Sequence, residues 1–163
     1  MKNFLGIGIS VGVLAGVWTQ VSIEFGLITW VAFVAWATFF AAGGGRDGFV
    51  KGLLSNASGV AWAWVASKFL AHATFNGAIA IAVTVLGLVL CLQAAVPLLS
   101  FIPGAFVGTA VFFGTGFNLG GTMAALAIGT CLGLVSALLA ARIQSAVDGH
   151  PAPAHQETAV AAR

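Results

Sequence analysis

Between residues 4 and 143 no stretch of this chain carries enough charge to make a surface that water would wet, and this limits what it can fold into. Only 6% of its 163 residues are charged and 60% are hydrophobic, with a mean hydropathy of +1.08. A soluble domain needs charge on roughly a quarter of its residues. Lipid must therefore solvate most of the surface. Apolar runs of about 20 residues then read as transmembrane helices. Barrel strands would alternate apolar and polar positions, and no such alternation is present. The fold class expected is all-α, a polytopic transmembrane helix bundle.

Six runs are long enough to count as spans: residues 4–23, 27–42, 49–70, 77–96, 104–119 and 122–143. The first is too long for a signal-peptide core and lacks a small-x-small cleavage site, so it reads as retained. With six spans, Lys2, Arg46, Lys51 and Arg142 fall on one side, and Glu24 and Lys68 on the other, where they are placed to pair. The positive-inside rule puts the first side, with both termini, in the cytoplasm. Residues 1–143 form the membrane domain. Residues 144–163 turn polar and proline-containing, with His150 and His155, and read as a disordered cytoplasmic tail.

Residues 100–121 stand apart. Pro103-Gly104 is a helix breaker near the start of the run and Gly114-Thr115-Gly116-Phe117-Asn118 a turn near its end. Irregular backbone survives in hydrocarbon only where protein or a watery cavity satisfies it. The expectation is a kinked fifth span, with a re-entrant loop and five spans as the alternative. If a solute passes here, the candidate path residues are Asn56, Phe101, Pro103, Gly104, Phe106, Gly108, Thr109, Asn118 and Thr122. Phe101, Phe106, Phe112 and Phe113 would form the constriction, with freed carbonyls and amides giving selectivity. Asn56 lies mid-span and must find a partner, either a neighbouring helix or a solute.

Two faces are smooth. Gly8, Gly12 and Gly16 recur every fourth residue, as do Gly121, Ala125, Gly129 and Gly133. Small residues at this spacing let another backbone come close, within the chain or across a homo-oligomer seam. Trp30 fits an interfacial belt, whereas Trp36 is deeper and fits either a belt or an interior.

The order of motifs is familiar. Gly16-Val17-Trp18, Gly26-Leu27-Ile28-Thr29-Trp30, Ser58-Gly59-Val60-Ala61-Trp62-Ala63, Cys91-Leu92-Gln93-Ala94, Ala127-Ile128-Gly129 and above all Ser100-Phe101-Ile102-Pro103-Gly104-Ala105-Phe106-Val107-Gly108 resemble the YcdZ-like bacterial inner-membrane family known as domain of unknown function 1097. The resemblance covers most of the chain before the tail. It implies an integral inner-membrane protein without an assigned activity and carries over no catalytic residue. Gly116-Phe117-Asn118 is also similar to turns that flank half-helices in urea-type channels. This chain would be about half such a channel, which implies an oligomer.

Two functions follow. One is a channel or facilitator for a small, mostly neutral solute, since no ionisable group sits mid-span as ion-coupled pumps require. The other is a non-transporting structural or accessory membrane subunit that uses the two smooth faces. No paired carboxylates, nucleophile set or metal-ligand spacing lies in the spans, so neither an enzyme nor a cofactor or metal is expected. The six cations are scattered, which excludes the clustered footprint of a nucleic-acid binder. The partners expected are the lipid bilayer and further copies of the chain.

Overall fold

The computed structural model describes residues 5–148, and among them the chain is helical without strands. Six helices follow one another: α1 (Leu5–Glu24), α2 (Thr29–Ala41), α3 (Leu53–His72), α4 (Ala78–Leu92), α5 (Ile102–Gly114) and α6 (Leu119–Asp148). Three segments are long and apolar enough to cross a bilayer: Leu5–Glu24, Ala78–Ala95 and Leu119–Ala146. By contrast α2 and α5 have only 13 residues each. At 1.5 Å per residue each is about 20 Å long, short of the ~30 Å hydrocarbon core.

The fifth run differs from expectation in one respect. Pro103 stands in the first turn of α5 and starts the helix, which runs unbroken to Gly114. A first-turn proline gives up an N–H that had no helical partner in any case. The helix therefore begins at Ile102, with Pro103 in its first turn, and does not break there. The glycine loop before α3 also differs. A turn of helix at Gly45–Asp47 and a π-helical turn at Gly48–Gly52 lead straight into α3. Lys51 and Asp47, four apart on this segment, form an ion pair of 2.8 Å. The last helix carries past the expected boundary at Ile143 to Asp148. Residues 149–163, with His150 and His155, lie outside the described residues, as does Lys2.

The helices form two units of one design. Ala32, Phe33, Val34, Ala37, Phe39, Phe40 and Gly43 recur 73 positions later as Ala105, Phe106, Val107, Ala110, Phe112, Phe113 and Gly116. The backbone repeats with them. The residue before α2, Ile28, has φ −84° and ψ 86°, and its counterpart Phe101 has φ −83° and ψ 77°. After α2 the N–H groups of Ala42, Gly43 and Gly44 donate to the carbonyls of Thr38, Phe40 and Phe39, and after α5 those of Thr115, Gly116 and Phe117 donate to Val111, Phe113 and Phe112. This is the C-terminal cap that needs a left-handed residue. Gly43 supplies it at φ +102° in the first unit and Gly116 at φ +65° in the second, and the residue after each, Gly44 at +67° and Phe117 at +68°, also has positive φ. Phe117 is the one non-glycine residue with positive φ among those described. Its ring packs edge-on against Phe112 and Phe113, each 5.7 Å away, and these contacts oppose the strain.

The units exchange partners. Gly6 at the start of α1 meets Ala140 and Gln144 near the end of α6, and Ile28 before α2 meets Gly121 at the start of α6. So α6 runs against α1 and alongside α2. The short helix of each unit packs on the last helix of the other. Gly129 of α6 sits on the backbone of Ala32 in α2, and Gly59 of α3 sits on the backbone of Ala105 in α5. Ala32 and Ala105 are themselves equivalent, so Gly59 and Gly129 are too. The chain reverses at each connection, and α4 therefore runs opposite to α1. The two units are inverted relative to one another, an arrangement frequent among membrane transporters.

A shared core fills the middle: Val31 and Ala35 of α2, Val60 and Ala63 of α3, Val111 and Phe112 of α5, and Ala125 and Leu126 of α6. The close approaches that build it cannot take a Cβ. A methyl group at Gly59 would overlap the Ala105 carbonyl, whereas one at Gly12 on α1 meets nothing within 4 Å. Gly59→Ala is expected to lower stability by about 1–3 kcal/mol, the usual cost of overpacking. Gly12→Ala is expected to leave it unchanged or raise it by up to about 1 kcal/mol, the helix-propensity gain. Thermal unfolding of both variants in detergent checks the contrast.

Candidate functional site

The residues expected to line a path do not gather along one channel. Phe106 and Phe113 face outward, Phe112 is fully buried in the core, and Phe101 lies against Gly104. Within the chain the four rings thus form no common constriction: α5 turns Phe106, Phe112 and Phe113 to different sides and Phe101 precedes it. At the far end of α5, Asn118 is exposed and its side-chain oxygen accepts from the N–H of Gly121, capping α6. Thr122 is buried and shares a 2.7 Å hydrogen bond with Thr115.

The other candidates converge where α3 meets α5 and the end of α2. Gly108 sits on the backbone of Asn56, Gly104 on the Cβ of Ser55, and the Thr109 hydroxyl donates to the Gly59 carbonyl at 3.1 Å. Asn56 is wholly buried and its Nδ2 donates to Thr38 Oγ1 at 2.8 Å. Its partner is therefore a neighbouring helix. Thr38 in turn donates to the Ala35 carbonyl. Thr38 and Ser55 are not among the candidate path residues. The 3.6-residue period alone does not show that both turn inward.

Two atoms of this cluster are left over. Ser55 Oγ and Asn56 Oδ1 are buried without a hydrogen-bond partner. Elsewhere in the bundle the hydroxyls return to their own helix: Ser10 to Ile7, Ser22 to Thr19, Ser58 to Ser55, Thr130 to Leu126 and Ser136 to Gly133. That pairing is the usual one for a hydroxyl in a membrane helix. Ser55 departs from it three residues after the π-helical turn. A buried polar atom without a partner costs about 1–3 kcal/mol. Turns of π-helix inside α-helices are frequent at functional sites.

Ionisable groups stay away from this place. Glu24, Arg46, Asp47, Lys68, His72 and Arg142 are exposed and Lys51 is half-buried. Glu24 accepts from Gln20 at 2.9 Å, and Lys68 lies over the Trp64 ring at 5.6 Å. The expected approach of Glu24 to Lys68 is absent from the ion pairs among the described residues. No group of three or more His, Cys, Asp or Glu side chains is gathered among them either.

The smooth faces are used differently. Gly129 and Gly133 of α6 seat Ala32 and Phe39, and Ala125 is buried in the shared core. Gly8, Gly12 and Gly16 have open space before them. Trp36 proves interior, its indole N–H donating to Ser136 Oγ at 2.9 Å, while Trp30 remains half-exposed.

Thr38→Val would leave the Asn56 amide unpaired and is expected to cost about 1–3 kcal/mol. Adding Asn56→Leu removes the stranded amide and should restore most of that loss. A double-mutant cycle on unfolding in detergent reads the coupling.

Residues 8–141 match the family described as protein of unknown function DUF1097. The uncharacterized protein YahC of Escherichia coli K12 is 36% identical over 148 residues, covering 83% of this chain and 90% of its own length. The inner membrane protein YcdZ of the same strain is 36% identical over 122 residues, covering 71% of this chain and 73% of its own. YcdZ of Salmonella typhimurium LT2 is 35% identical over 122 residues, covering 71% and 74%. No solved structure matches the chain. The family match spans most of the sequence and these relatives align along most of their own length, so the chain belongs to the DUF1097 family.

Proposed function

We propose that this protein is a multi-pass inner-membrane channel or facilitator for a small, mostly neutral solute. In this reading all six helices cross the bilayer, both termini are cytoplasmic, and no catalysis is involved. The observation that supports it most is the pair of unpartnered polar atoms on Ser55 and Asn56. They lie inside a bundle whose described ionisable side chains all lie outside the core. A neutral interior with a few polar groups suits selection by size and hydrogen bonding. Coupling to ion gradients would call for buried charge. The inverted pair of units, with short helices in the middle, is also how many transporters build their sites.

A second reading has its own observation. The open face of Gly8, Gly12 and Gly16 suits a close helix contact with another chain. A homo-oligomer fits the channel, and a different membrane subunit fits a purely structural role. Purified protein in liposomes separates the two readings. A facilitator is expected to raise uptake of at least one of water, ammonia, urea or glycerol well above empty vesicles in stopped-flow measurements. Rates equal to those of empty vesicles for all four would leave the accessory role.

A further inference from the structure

The two units are alike in backbone, and among the places where their chemistry differs one leaves buried polar atoms unpaired. Equivalence along the short helices is 73 positions, which pairs Thr38 with Val111 and Phe101 with Ile28. Along the last helix of each unit it is 70 positions, fixed by Gly59 on Ala105 and Gly129 on Ala32. The first unit thus has three more residues between its short and long helices, where the π-helical turn Gly48–Gly52 lies. This register pairs Ser55 with Ala125, Asn56 with Leu126 and Ser58 with Ile128. In the second unit the positions of Thr38, Ser55 and Asn56 are therefore filled by Val111, Ala125 and Leu126, all buried in the shared core. Apolar side chains meet the packing needs of this fold. The first unit keeps polar ones there at a cost, with two of their atoms unpaired.

Beside Ala125, though not at Val111 or Leu126, the second unit has a hollow of about 80 Å³, lined also by Gly26, Leu27, Ile28, Asn118, Gly121 and Ile128. A water molecule's share of liquid volume is about 30 Å³. The matching positions of the first unit are Lys51, Ser55, Ser58 and Phe101. There the larger Phe101 ring lies over Gly104, against the same point that the Ser55 Cβ touches.

We propose that Ser55 and Asn56, with Thr38 behind them and Phe101 as the cover, form a binding position for one small neutral hydrogen-bond donor of the size of water or ammonia. The ligand donates to Asn56 Oδ1 and bonds to the Ser55 hydroxyl, while Thr38 holds the Asn56 amide so that its oxygen faces the ligand. Thr38, Ser55, Asn56 and Phe101 carry no charge, and Lys51, one turn before Ser55, is already paired with Asp47 at 2.8 Å, so the groups offered to the ligand are neutral. This assignment rests on the channel reading for its purpose but not for its test.

The test uses the full chain in detergent micelles with its asparagines labelled by ¹⁵N. The Asn56 side-chain amide is identified by its loss in Asn56→Leu. A cross-relaxation peak between this amide and water, or a shift of its resonance on adding ammonia at alkaline pH, is expected. The first outcome identifies a resident water and the second an ammonia-sized solute. Phe101→Ala should strengthen either signal by widening access. An amide that shows no contact with water and does not respond to ammonia, in the native protein and in Phe101→Ala alike, overturns the proposal. The variant Thr38→Val/Ser55→Ala/Asn56→Leu carries the second unit's residues in the first. It should unfold no earlier than the native protein and should lose ammonia permeability by about tenfold or more, the effect of roughly one lost hydrogen bond. An occupied site in a protein that conducts nothing would end the channel reading and leave the site standing. Conduction past an empty site would do the reverse.

Discussion

The bundle depends on helix backbones that touch with no side chain between them, above all Gly59 on Ala105 and Gly129 on Ala32. In lipid the hydrophobic effect does not drive helices together, because tails are as apolar as leucine. Association rests instead on close packing and a few hydrogen bonds. Here the glycine contacts set the distance, and sparse bonds such as Trp36 to Ser136 and Asn56 to Thr38 set the register. Because the two contacts are equivalent by the internal repeat, one solution to the packing problem is used twice. The shared core of Val31, Val60, Val111 and Leu126 forms between the two uses.

Much of this was legible in the sequence, for identifiable reasons. Scarcity of charge dictated a membrane protein, and uninterrupted apolar runs dictated helices. The helix periods of Gly129 and Gly133 put them on one face, and that face does meet α2. A mid-span amide had to find a partner, and Asn56 has one in Thr38. Other features were not legible because they depend on how helices rotate against each other. The four phenylalanines around α5 were expected to converge, but spacing along one helix turns Phe106, Phe112 and Phe113 to different sides. Gly8, Gly12 and Gly16 have the same spacing as the α6 glycines, yet their face is left open within the chain. The internal repeat was present as the pattern A-F-V-x-x-A-x-F-F-x-x-G at Ala32 and again at Ala105. It is short enough to pass as composition until the matching caps and contacts reveal it. Thr38 and Ser55 gained significance only when α2 and α5 were seen to press on α3.

Kinship and geometry contribute at different levels. Two of the relatives are named as inner membrane proteins, and those names bring no chemistry with them. The chemical information lies in the contrast between the two halves of the one molecule. Duplication provides an internal control, since one unit shows what the scaffold requires and the other shows where the chain departs from it. At Thr38, Ser55 and Asn56 the departure is toward polarity, beside a turn where three extra residues were accommodated.

The exchange of partners between the units also bears on how such a protein is made. When ribosomes have delivered α1 to α3 to the membrane, Gly59 faces lipid because Ala105 has not been synthesised, and α2 waits for an α6 that emerges last. Neither half can complete its own interface. Assembly is therefore post-insertional: the early helices must dwell in the bilayer as an open intermediate until the last one arrives. A product truncated after His72 would present unfilled glycine grooves to membrane quality control.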